Sequence, residues 1–280
     1  MKTSLLLYSA LAALLAGCTM VPKYERPAAP VSSTWADGRN SEETLADLPW
    51  REFFNEPRLQ SLIELSLAHN RDLRVAALRV EQTRAQYRIQ RSALFPDAAG
   101  GAGVTRQRTP ETVSVTGEAF TTTTYEASVG AAFELDLFGR VRSLNQEALE
   151  RYFATQAARD SARIALISEV AAQYLTLLQM EESLGLARQT LETVRKSYDL
   201  NEKSHQAGVA SELDLRTAEA QVQTARVNVA HFEQLHAQAR NALVFLVGQP
   251  LPADLPSGLP LEEQTLWQDL PAGMPSHLLQ

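Results

Sequence analysis

The sequence holds a single cysteine, Cys18, among 280 residues. That excludes a disulfide framework and a cysteine-built metal site. Aromatic residues make up only 7% of the chain, which suits long alanine-rich helices better than the packed interior of a compact enzyme. Charge is spread without a block of one sign. The formal net charge is -7, from 26 basic and 33 acidic residues, and this excludes a strongly basic nucleic-acid surface. No apolar run reaches the roughly 20 residues that a membrane-spanning helix needs. G-x-S-x-G, P-loop and H-E-x-x-H motifs are absent. His231 and His236 stand five apart, not the four that sets two ligands on one helix face, and His236 falls on an apolar stripe. The sequence therefore offers no catalytic residue, no cofactor site and no metal site, and the reading is not enzymatic. At 45% hydrophobic residues the chain is nevertheless too apolar to remain disordered.

What is present begins at the N-terminus. Met1-Lys2 is followed by an apolar run from Leu5 to Leu15, broken only by Ser9, and then by small residues. This is the pattern of a secretory signal. It closes on Leu15-Ala16-Gly17-Cys18, which resembles the bacterial lipobox. The resemblance implies a signal peptide over residues 1–17, with Cys18 the acylated first residue of the mature chain. Thr19 stands where an aspartate would favour retention at the inner membrane, so the same resemblance points to the outer membrane.

Residues 18–56 carry Pro22, Pro27, Pro30 and Pro49 and few periodic apolar positions, as in an extended tether. Over 57–95 the pattern is helical, with Leu62, Leu65, Leu73, Ala76 and Val80 at helical spacings and a break at Asn70-Arg71-Asp72. Pro96 ends it. Residues 96–138 read as a strand pair with an intervening loop. Ala98, Gly100, Ala102 and Val104 alternate in the first strand, expected over 97–107. In the second, Tyr125, Ala127, Val129, Ala131, Phe133 and Leu135 alternate with Glu126, Ser128, Gly130, Ala132, Glu134 and Asp136. The alternation predicts a strand over 125–135 with one apolar and one polar face, at the length of a transmembrane β-strand.

Residues 139–248 read as a long helical hairpin. From Gly139 to Gln206 there is no proline, and such a helix is about 100 Å long at 1.5 Å per residue. Leu184, Ala187, Leu191, Val194 and Tyr198 form a seam at steps of three and four. Ala207-Gly208-Val209-Ala210 breaks the helix, and Ser211 suits the N-cap of the next. There the seam continues through Ala218, Val222, Ala225, Val229, Phe232, His236, Ala239, Leu243 and Leu246. Leu213, Ala220 and Val227 form a second seam, which implies neighbours on two sides. Residues 249–280 are rich in proline and read as a linker.

In order and spacing these pieces resemble the TolC-like outer-membrane efflux channels, in particular the lipoprotein branch that serves tripartite multidrug pumps. The resemblance is carried by Val21-Pro22-Lys23-Tyr24-Glu25-Arg26-Pro27, by Trp50-Arg51-Glu52-Phe53-Phe54-Asn55-Glu56-Pro57-Arg58-Leu59, by Asn70-Arg71-Asp72-Leu73 and by Phe95-Pro96. Its most specific part is Glu134-Leu135-Asp136-Leu137-Phe138-Gly139-Arg140. The family often has tryptophan where Phe133 stands. Family members carry two similar repeats, whereas one is found here. Residues 270–280 resemble the linker into a second repeat, so the expectation is the N-terminal half of such a channel, unable to close a barrel alone.

The resemblance implies a mainly α fold with a transmembrane β-hairpin: a long antiparallel helical hairpin of a periplasmic α-barrel, plus two strands of an outer-membrane β-barrel. It implies that Val129, Ala131, Phe133 and Leu135 face lipid and that Glu134 and Asp136 face the lumen. It implies that Gly208, Val209, Ser211, Leu213 and Asp214 form the tip that meets a periplasmic adaptor. Alternatively, Gly208 merely caps one helix and Ser211 starts the next. The expected partners are further copies of the chain (a trimer for the full-length family, a hexamer or none for this half-chain), the adaptor, an inner-membrane pump and outer-membrane lipid. No cofactor and no nucleic acid are expected. The expected location is the outer membrane, lipid-anchored and extending into the periplasm. The alternatives are a periplasmic adaptor and a structural coiled-coil lipoprotein without a pore.

Overall fold

The computed structural model describes residues 24, 25, 27, 48–115 and 117–264. Cys18, residues 28–47 of the tether and residues 265–280 lie outside the described residues. In chain order the elements are α1 (Trp50–Phe53), α2 (Pro57–His69), α3 (Arg71–Ser92), β1 (Asp97–Thr109), β2 (Phe120–Ala132), α4 (Arg140–Gln206) and α5 (Glu212–Val247). Single 3-10 turns occur at Glu111–Val113 and Leu261–Glu263. The fold is mainly helical with one two-stranded antiparallel sheet, as the resemblance implies. Among the described residues no helix is long and apolar enough to cross a membrane.

The chain divides into two compact units, residues 1–25 with 79–156 and residues 26–78 with 157–280. In the second unit α4 and α5 pack along the seam read from sequence. Leu184, Ala187, Ala218, Val222, Ala225, Ala239, Leu243 and Leu246 are buried, and Leu191, Val194, Tyr198, Val229, Phe232 and His236 are half-buried. A hydrophobic core cluster joins Leu59, Leu62 and Ile63 of α2 to Ile167, Val170 and Tyr174 of α4 and to Leu243 and Val247 of α5. The second seam is uncovered: Ala220 is exposed, as are Leu213 and Val227.

Two residues fix the helix ends beside this cluster. Asn70 separates α2 from α3. Its Oδ1 accepts from the Leu73 amide at 2.9 Å, capping α3, and its Nδ2 donates to the Leu246 carbonyl at 2.8 Å. One buried side chain thus makes the break and ties it to the end of α5. Gly248 closes α5 in the left-handed region, at φ +80°, the usual helix-ending glycine geometry. A Cβ there would lie 2.4 Å from the His69 carbonyl oxygen, so the close approach also requires glycine.

The first unit contains the hairpin. β1 and β2 pair in register from Asp97 opposite Ala132 to Thr109 opposite Phe120. Directly opposed residues share a face. Ala98, Gly100, Ala102 and Val104 therefore lie with Ala131, Val129, Ala127 and Tyr125. Gly103, Thr105 and Gln107 lie with Glu126, Thr124 and Thr122 on the other face. All of β2, and all of β1 but Thr109, is exposed to solvent in the single chain.

The second strand differs from its predicted span. It starts at Phe120 and stops at Ala132, not at 125 and 135. Thr121 to Thr124 are β-branched, suit a pleated ladder, and pair with 105–108, so the second end of the expected loop is strand. At the other end Glu134 and Asp136 are drawn into ion pairs with Arg140 and Arg142. Phe133, Glu134, Leu135 and Asp136 therefore lie beyond the strand, in the corner that leads to α4.

Candidate functional site

Three places stand out, two of them singled out by the sequence. The first is the corner between β2 and α4. Glu134 Oε1 accepts from Arg140 Nε at 2.9 Å, and Glu134 Oε2 pairs with the same guanidinium, a two-pronged contact. The hydrogen bond from Arg140 holds the Glu134 carboxyl below its usual range. Asp136 Oδ2 accepts from the Arg142 backbone amide at 2.9 Å and from Arg142 Nε at 3.2 Å. For Asp136 desolvation pushes the pKa upward. The backbone hydrogen bonds from Arg142 and Val141 and the Arg142 guanidinium outweigh it, and the net direction is down. Asp136 thus supplies an anion to the free amides at the start of a 67-residue helix, where the helix dipole favours negative charge. Gly139, at φ +80°, supplies the turn, and its carbonyl accepts from the Ser143 amide at 2.8 Å. The Glu-Leu-Asp-Leu-Phe-Gly-Arg string is therefore a helix-start device. Its apolar residues Leu135, Leu137 and Phe138, and Phe133 just before it, are all exposed.

The second place is the turn between α4 and α5. The Val209 amide donates back to the Ser204 carbonyl at 2.9 Å, and Gly208 takes φ +79°. Ser211 and Asp214 form a reciprocal capping box. The Asp214 amide donates to Ser211 Oγ at 3.2 Å, and Asp214 Oδ2 accepts from the Ser211 amide at 3.1 Å. Ser211 hydrogen bonds hold the Asp214 carboxyl below its usual range. The local roles of Gly208, Ser211 and Asp214 are those of caps. Val209 and Leu213 are different: they are 83% and 75% exposed and face solvent with apolar side chains.

The third place was not singled out by sequence. Glu56, just before the proline that opens α2, is only 7% exposed. Its Oε1 accepts from Tyr174 Oη at 2.5 Å and from the Leu259 amide at 2.9 Å. Tyr174 is 1% exposed. Burial first, and then the hydrogen bond to Glu56, push its phenol well above the ordinary value. The stretch after α5 is thereby fastened to α2 and α4. Gly258 lies so close that a Cβ would stand 2.7 Å from Tyr174 Oη. The only signal in the sequence was its place between the aromatic-rich stretch Trp50 to Phe54 and Pro57. Among the described residues no group of three or more His, Cys, Asp or Glu side chains could hold a metal ion.

The chain thus combines a two-stranded antiparallel hairpin in one unit with a seamed helical pair in the other, the two kinds of part that the resemblance implies. The chain belongs to the outer membrane efflux protein family, whose match covers residues 62–249. It is 44% identical over 287 residues to the toluene efflux pump outer membrane protein TtgC of Pseudomonas putida, covering 100% of this chain and 59% of that one. It is 37% identical over 273 residues to the outer membrane protein OprJ of Pseudomonas aeruginosa, covering 96% and 57%. Among solved structures, it is similar to the open state of the Neisseria gonorrhoeae MtrE outer membrane channel. That match has TM-score 0.76 and 39% identity, and covers 94% of this chain and 58% of that one. The chain thus spans less than two thirds of the length of the relatives it matches.

Proposed function

We propose that this chain is a subunit of an outer-membrane channel that exports drugs or other small molecules. In this reading it supplies two barrel strands and one hairpin of the periplasmic helical wall. The channel works passively, with an inner-membrane pump and a periplasmic adaptor, and Cys18 carries an acyl anchor. The observation that carries the reading is the exposed, two-faced hairpin. Two strands alone are marginal in water, and free strand edges are not viable in lipid, where only closed barrels persist. A hairpin with 13-residue strands, with one face apolar over Ala98 to Val104 and Tyr125 to Ala131, is suited to closure by strands from elsewhere. The uncovered seam of Leu213, Ala220 and Val227 suits neighbouring helices in the same way. An adaptor or a pore-free lipoprotein leaves the strand pair unexplained.

In this assignment Val129 and Ala131 face lipid, Phe133 and Leu135 extend that face into the corner, and Glu134 and Asp136 lie toward the lumen side. Gly208, Val209, Ser211, Leu213 and Asp214 form the adaptor-facing tip, with Val209 and Leu213 as the contact atoms and the other three holding the turn.

The test is conductance in planar bilayers, using the protein expressed from its own gene. Discrete ion-conducting steps are expected. An outer-membrane protein that never conducts would leave the structural-lipoprotein reading in its place. In the same strain, Leu213→Asp should weaken crosslinking to the adaptor at normal outer-membrane levels. Labelling with an alkyne fatty acid should be lost in Cys18→Ala.

A further inference from the structure

The apolar face of the hairpin does not stay apolar to its end. Beyond Val104 and Tyr125 the same face carries Arg106 opposite Thr123 and Arg108 opposite Thr121. Both arginines are exposed. Neither guanidinium has a hydrogen-bond or ion-pair partner among the described residues. An unpaired arginine on a lipid-facing surface is costly at mid-membrane and tolerated near the interface, so its height decides what it meets.

That height follows from the register. From Phe133, just past the inner end of β2, to Thr123, the cross-strand partner of Arg106, is ten residues. At about 3.4 Å per residue and a tilt of about 40°, this is a rise of about 26 Å. The apolar band of an outer-membrane barrel is about 25 Å tall. Arg106 therefore emerges at the top of the band, and Arg108 sits about 5 Å higher by the same rise. Tyr125, one step below on the same face, is a residue type enriched at that interface. Thr121 and Thr123 add hydroxyls beside the two guanidinium groups. Arginine is matched to phosphate by its planar fork of donors.

We infer that Arg106 and Arg108, with Thr121 and Thr123, form a binding site for the phosphate groups of an outer-leaflet glycolipid. The site lies outside the barrel and takes no part in the passage of exported molecules. The inference rests on the reading that this face meets lipid. Lipid phosphates lie in a plane at the top of the apolar band, which is where the two cations stand. The acyl chains of the same molecule would lie along Val104, Tyr125 and Val129 below.

The test uses the protein expressed from its own gene, purified in detergent and titrated with diphosphoryl lipid A or its fully dephosphorylated form, with bound lipid read by native mass spectrometry. The wild type should prefer the phosphorylated lipid at least tenfold. R106Q/R108Q should lose about 30-fold in affinity for it, the size of two guanidinium charges at an anionic surface. R106K/R108K should retain part, because charge survives while the fork is lost. Equal affinity of wild type and R106Q/R108Q for the phosphorylated lipid would overturn the site. So would full displacement by millimolar pyrophosphate, which would make it a soluble-anion site. Bilayer conductance of the same preparations separates the two levels of reading. Channels that conduct without phosphate preference refute the site alone. Failure of the protein to insert at all refutes both.

Discussion

Replacing Glu56 by alanine tests whether one carboxylate fastens the stretch after α5 to the helices beneath it. Glu56 Oε1 is the acceptor for both Tyr174 Oη, at 2.5 Å, and the Leu259 amide, at 2.9 Å. A hydrogen bond to a charged group contributes about 1.5–3 kcal/mol. Glu56→Ala leaves the Leu259 amide without that acceptor, so local opening of the stretch becomes easier by about this amount. Since about 1.4 kcal/mol is a factor of ten, amide exchange protection at Leu259 should fall by about 10- to 150-fold. Global stability is a poorer measure. The second oxygen, Glu56 Oε2, is buried with no partner among the described residues, and removing the side chain relieves that cost. Tyr174→Phe is the control. It removes the phenol but not the acceptor, so Leu259 protection should stay within a few-fold of wild type. The double variant should match Glu56→Ala. Hydrogen exchange read on fragments spanning 251–264 gives the answer. Leu259 protection unchanged in Glu56→Ala would refute the reasoning, because the amide would then draw its protection from packing alone.

Gly248→Ala should destabilise more than Gly208→Ala, measured by thermal unfolding. Both glycines have φ near +80°, costing a side chain about 1–2 kcal/mol, but only at Gly248 would the new Cβ strike a backbone carbonyl, at 2.4 Å; equal losses would sink the contact argument. Val129→Arg should reduce outer-membrane assembly, by about 2–4 kcal/mol if the position is near the midplane, whereas Glu126→Gln, on the opposite face, should assemble normally; a matching block by both would mean that the faces are reversed. Acid should loosen the β2–α4 corner: Glu134 and Asp136 are held below their usual range, so their contribution is complete above the ordinary carboxylate value and is lost as pH falls through the depressed one. Proteolysis near Leu137 should therefore rise at low pH in the wild type and already be high at neutral pH in Arg140→Ala/Arg142→Ala; no difference between the two at neutral pH would count against the ion pairs.

Local periodicity carried much of the architecture into the sequence. Steps of three and four from Leu184 to Tyr198 and from Ala218 to Leu246 specify a helical pair, because a helix can bury only a stripe. Alternation over Ala98 to Val104 and Tyr125 to Ala131 specifies strands with unlike faces, because strand side chains alternate. Gly208 and Ser211 announce a turn through backbone conformation and capping, both of which are local effects. Tertiary structure decided what depended on distant partners. The end of β2 at Ala132 follows from ion pairs across the corner to Arg140 and Arg142, which no alternation reports. Glu56 meets Tyr174, 118 positions away, and Asn70 meets Leu246, 176 positions away. Such pairings leave no periodic trace, because a buried polar group needs only one acceptor or donor, and the fold alone chooses where it stands.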